Sequence, residues 1–170
     1  MNKQTTKQQK FPRILAFLLA ATFVLALTLL VSSGANRVAA SDTKAKIFAQ
    51  ALVEDTVAKH PELAGLGLAT TPPGGHDCIT IADTDPKELG DKCDKGELQV
   101  MTTGKSTVEK EGDGYDVTMP LHVGGKKIGI MGMDFKLDQK EEGLLGRAEV
   151  IAKEVETQIP SKSKLFETAK

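Results

Sequence analysis

The chain has 170 residues, room for one ordinary domain, and its 26% charged and 40% hydrophobic residues exclude a disordered charged tail. Formal net charge is −1, but residues 1–40 hold five basic side chains and no acid, which leaves 17 basic and 23 acidic groups in residues 41–170, a net of −6. An acidic body without Trp, and with four aromatic residues after position 40, gives neither the field nor the stacking platform that nucleic acid requires.

Residues 1–40 read as an address. Lys3, Lys7, Lys10 and Arg13 precede an 18-residue apolar run, Ile14 to Val31. Val38-Ala39-Ala40-Ser41 then fits a signal-peptidase site cutting before Ser41, and Ser33 with Ala35 offers a second one. The run is nearly long enough to span a bilayer, so an uncleaved anchor is the alternative. Cleavage is favoured by the quality of the site. Both readings place residues 41–170 outside the cytoplasm, periplasmic or secreted, with membrane contact only through residues 14–31 if they are kept. Cys78 and Cys93 are the only cysteines, and an even pair in an exported chain is expected to form a disulfide.

The body is expected to run from residue 41 to 160, followed by a flexible tail over 161–170. Apolar residues from Ala45 through Phe48, Ala49, Leu52, Val53 and Thr56 to Val57 form a helical stripe, ended by His60-Pro61. Residues 65–71 and 78–82 read as strands, separated by the Pro72-Pro73-Gly74-Gly75 turn. A polar loop covers 83–94, a short helix 95–102 and a strand 106–110. Leu144, Ala148, Ile151, Ala152, Val155 and Ile159 make a second helical stripe within residues 139–159.

Between these helices lies a hairpin, 115–123 and 126–137, joined by Gly124-Gly125, a turn tolerant of positive φ. Regular pairing from that turn sets Met119 opposite Ile130 and Tyr115 opposite Asp134, on one face that is apolar until its far end. Pro120 has no N–H, so its strand is expected to be an edge or to be irregular there. Sequential antiparallel strands with terminal helices give an α+β fold.

Three phrases in this order resemble a single Cache domain, the extracytoplasmic PAS-like sensor module. They are Ile81-Ala82-Asp83-Thr84-Asp85-Pro86-Lys87-Glu88-Leu89-Gly90, Tyr115-Asp116-Val117-Thr118-Met119-Pro120-Leu121, and Gly125 through Phe135. With both helices they cover about residues 43–159. The resemblance implies a small-molecule pocket on one face of a five-stranded antiparallel sheet, a long N-terminal helix on the other, and a C-terminal helix. Such domains usually drive a kinase, cyclase or chemoreceptor. This sequence leads us to expect no output domain of its own. It also lacks the Arg and Trp with which amino-acid-binding members hold a carboxylate, whereas amine-binding members place an Asp at the position matching Asp134.

Tyr115, Asp134, Met119 and Ile130 are therefore the candidate ligand-binding residues: an anionic, hydrogen-bonding pair at the mouth of an apolar pocket. The competing reading makes Tyr115 core and Asp134 a solvated strand end. His76-Asp77-Cys78 with Cys93-Asp94 contains metal-ligand types, but a disulfide would consume both sulfurs and no ligand spacing is present, so no metal is expected. No nucleophile elbow, HExxH, P-loop or CxxC occurs, and neither catalysis nor a cofactor is expected. The expected function is small-molecule sensing, passed to a partner protein or a second copy. The alternatives are a ligand-free structural or interaction domain, and a PepSY-type exported inhibitor or chaperone, which shares the "GYDV…GKKIGI" hairpin but not the segment 81–90.

Overall fold

The computed structural model describes residues 45–112, 114–136 and 139–170. The expected signal or anchor over residues 1–40 lies outside them. Among the described residues no helix is long and apolar enough to cross a membrane.

The elements are α1 (Phe48–Lys59), β1 (Leu63–Thr70), β2 (Ile79–Asp83), α2 (Lys95–Thr103), β3 (Thr107–Glu111), β4 (Gly114–Val123), β5 (Lys126–Phe135) and α3 (Leu144–Gln158). All five strands form one antiparallel sheet in the order β2-β1-β5-β4-β3. The α+β class and the strand number agree with the sequence expectation.

One face of the sheet packs under α1 and α3. Leu66 and Leu68 come from β1, Met131, Met133 and Phe135 from the central strand β5, and Val117, Met119 and Leu121 from β4. Ala49, Leu52 and Val53 of α1 and Ala148, Ile151 and Val155 of α3 meet them there. Removing each such Leu, Met or Phe from water contributes about 1.5–3 kcal/mol, so this layer is the main source of cohesion. Helix α1 ends at His60, ahead of Pro61, as its sequence dictates. Helix α3 begins only after Gly143, whose φ of 82° is left-handed and breaks the helical pattern expected from residue 139.

The opposite face is covered over part of its area by α2 and the loop before it. Asp94 caps α2 and Glu97 closes a capping box with it. Val100 of α2 packs with Ala69, Ile130, Cys78 and Cys93 in a small second core. The expected disulfide Cys78–Cys93 is present, with Cα atoms 5.4 Å apart. It fastens the returning loop to β2, where Cys93 N donates to Cys78 O at 3.0 Å and Thr80 N to Asp91 O at 2.9 Å. The outer edge of β2 is thereby paired rather than open.

The hairpin register differs from the expected one. Gly124 and Gly125 make the two-residue turn, both with positive φ, and Val123 pairs Lys126. A bulge between Leu121 and His122 then shifts the pairing by one residue. Met119 pairs Met131, Pro120 pairs Ile130, Asp116 pairs Asp134 and Tyr115 pairs Phe135. Pro120 is accommodated because β3 pairs β4 only as far as Thr118, so the second half of β4 is an edge. Beside the bulge, His122 N donates to Glu156 Oε1 of α3 at 2.7 Å.

Residues 161–170, expected as a flexible tail, are packed. Lys162–Phe166 form a 3₁₀ turn, Leu165 is fully buried, and Thr168 bridges Ile47.

Candidate functional site

The uncovered part of the second sheet face is an open cleft of about 770 Å³ between the sheet, the 83–94 loop and the start of α2. Its floor follows from the bulge. Alternation sends Gly65, Gly67 and Ala69 of β1, Ile130, Gly132 and Asp134 of β5, and Asp116 and Thr118 of β4 to this side.

Two rows cross the strands. The first runs Asp83, Gly67, Gly132, Thr118, Thr107. The second runs Gly65, Asp134, Asp116, Glu109. Three carboxylates thus stand on directly opposed positions of adjacent strands, an arrangement that costs free energy. The glycines make it sterically possible. A Cβ on Gly65 would lie 2.3 Å from Asp134 Oδ2, and one on Gly67 would lie 2.3 Å from Asp83 Oδ2. Both carboxylates lie across β1 where an ordinary side chain would stand.

The loop contributes further acids, including Asp85, Glu88 and Asp91. Among the described residues the one basic group in the lining, Lys92, is paired with Asp77 at 2.8 Å. Burial raises the pKa of Asp83, Asp116, Asp134 and Glu97. Asp116 is pushed up to about 6, by burial first and then by the charges of Asp134, Glu111 and Glu109. The Thr118 hydroxyl, donating to Asp116 Oδ2 at 3.0 Å, pulls the other way. For Asp83 the charge of Asp134 adds to burial; for Asp134 the charges of Glu111 and Glu88 do.

The four candidate residues divide between the faces. Asp134 and Ile130 line the cleft. Met119 is buried in the helix-side core and Tyr115 packs against it. The expected Tyr115–Asp134 pair is thus corrected: the bulge turns Tyr115 away, and Asp134 faces Asp116 instead. The cleft is open and carboxylate-walled rather than apolar. Asp116, Asp83 and Glu109 were not among the expected site residues. His60 closes α1 and contacts Glu62 and Glu154, while His122 contacts Glu156. Among the described residues no group of three or more His, Cys, Asp or Glu is placed to hold a metal ion.

No protein-family model and no curated protein matches the chain by sequence. Solved structures do match by shape. The GAF domain of A. aeolicus NLH2, in an inactive state, superposes with a TM-score of 0.53 at 14% identity, over 71% of this chain and 86% of that one. The likeness is one of fold. A type II free methionine-R-sulfoxide reductase from Thermoplasma acidophilum gives 0.48 at 13% identity, over 71% and 93% of the two chains. The GAF domain of a two-component sensor histidine kinase from Bacillus halodurans gives 0.47 at 8%, over 68% and 91%. The A. aeolicus domain agrees with the PAS-like α+β architecture. A fold of this kind does not fix an activity, which resides in the site it carries.

Proposed function

We propose that this protein is a small-molecule-binding, sensor-like module whose occupant is cationic and whose bound state is passed to a partner protein. The supporting observation is the second row of the cleft. Asp134, Asp116 and Glu109 oppose one another across three strands, beside Gly65, whose missing side chain leaves room for the Asp134 carboxylate on the cleft floor. Burial and mutual repulsion make that row unfavourable when empty and ionised. A positively charged solute relieves both. The cleft's volume suits a small organic molecule. The absence of a compact ligand set among the described residues favours an organic cation, with charge spread over several atoms, above a bare metal ion.

The proposal includes an extracytoplasmic location. Its support is the basic start, the apolar run 14–31, the Val38-Ala39-Ala40 site and the disulfide. Non-catalytic binding remains part of the reading.

Thermal unfolding of the full chain tests the occupant. Spermidine, putrescine and choline are compared with succinate and citrate at matched ionic strength. A concentration-dependent rise in Tm with at least one cation, reduced in Asp134→Asn, supports the reading. No shift with any cation, or an equal shift with the dicarboxylates, overturns it.

A further inference from the structure

We infer that Gln50 couples the cleft to helix α1, so that displacing the Asp83 carboxylate alters how α1 is held on the sheet; the inference deepens the binding reading of that cleft. Helix α1 packs on the face opposite the cleft. Its apolar contacts are non-directional and would tolerate small slips of the strands beneath. Gln50 is different. Its Nε2 donates to Asp83 O at 2.8 Å, and its Oε1 accepts from Asp83 N at 3.1 Å. The carboxamide thus engages both main-chain groups of one residue at the edge of β2, as a neighbouring strand would. Among the described residues it is the only α1 side chain hydrogen-bonded to a strand.

The residue it holds has its other end in the cleft. Asp83 Oδ1 accepts from Asp85 N at 2.7 Å, and Oδ2 lies over Gly67. Any occupant that draws or displaces this carboxylate must rotate the side chain or move the main chain of Asp83. The two-bond clasp transmits the second motion to α1 and is broken if α1 does not follow. Gln50 therefore joins an acidic cleft on one face to the helix on the other through a single residue.

A double-mutant cycle read by hydrogen–deuterium exchange of the full chain tests this without needing to know the ligand. Gly67→Ala puts a methyl group where Oδ2 lies and mimics displacement. Gln50→Ala cuts the clasp with a residue that favours helix. Gly67→Ala is expected to change exchange of the residues 48–59 amides at least threefold, with β4 and β5 unchanged. In the double variant those amides are expected to match Gln50→Ala alone. No α1 response to Gly67→Ala, or additive effects of the two changes, overturns the inference. If Gly67→Ala does not fold, Asp83→Ala replaces it in the same comparison.

Spermidine titration by calorimetry separates the two readings. A positive mutant cycle with no spermidine binding upholds the coupling and counts against the cationic occupant. Binding that leaves α1 exchange unchanged in the wild type overturns the coupling.

Discussion

Asp116 and Asp134 face each other across β4 and β5, with Glu109 opposite Asp116 on its other side. The pKa of Asp116 lies at about 6, above its ordinary 3.8. The native state therefore holds this proton more tightly than the unfolded chain does. Stability from this source is fully present below about pH 4 and is lost as pH rises through 6. The empty protein should unfold at higher temperature at pH 5 than at pH 7.5. Asp116→Asn should flatten that dependence and add on the order of 1–2 kcal/mol at pH 7.5, after solvent screening is allowed for. Urea melts at the two pH values measure it; a wild type more stable at pH 7.5 would contradict it.

Gly65 leaves room for the Asp134 carboxylate, so Gly65→Ala should push that group off the floor of the cleft. The position sits inside β1 and outside the set of positive-φ glycines, so backbone strain is not the issue. The expected result is at least tenfold weaker binding of whichever cation raises Tm, with near-UV circular dichroism unchanged. Undiminished binding would show that Asp134 need not lie there.

The Cys78–Cys93 bridge closes a loop with a sequence separation of 15 and binds the cleft's outer wall to β2. Replacing both cysteines by Ser should cost about 3 kcal/mol in the chain-entropy description. Limited proteolysis should then cut first within residues 84–92, between the cysteines. Cleavage that begins elsewhere would mean the returning backbone bonds hold the loop unaided.

Glu156 supplies the acceptor for His122 N beside the bulge. Glu156→Ala should cost about 1–3 kcal/mol, since that N–H loses a charged partner. Glu156→Gln keeps an acceptor and should cost less. Chemical denaturation of the two variants ranks them; equal losses would point to packing instead.

Element order was legible because periodicity is written in the residues: the stripes of α1 and α3, the β-branched run of β2, and Gly124-Gly125. The register was not, because one extra residue at Leu121/His122 has no composition of its own. A clue was nevertheless present. Uninterrupted pairing mixes Met131, Met133 and Phe135 with Asp116 and Thr118 on one face, and sets Tyr115 against Asp134 on the other. A one-residue shift sorts the two strands, with Tyr115, Val117 and Met119 joining Met131, Met133 and Phe135. The polar remainder, Asp116, Thr118, Gly132 and Asp134, is then the cleft. Asp83 could be noticed in the 81–90 phrase, but its partnership with Gln50 joins residues 33 apart and leaves no local trace.

The backbone bonds between the two ends of the described domain also set how it responds to tension. Phe48 N reaches Glu167 O at 2.7 Å, and Ala169 N reaches Lys46 O at 2.8 Å, in antiparallel sense. The chain therefore enters and leaves this bridge at the same end. A force drawing residues 45 and 170 apart loads these bonds one after another, as in opening a zipper, instead of shearing them together. The 3₁₀ turn and Leu165 would peel from α1 at low force, while the five-stranded sheet still carried its full set of pairings.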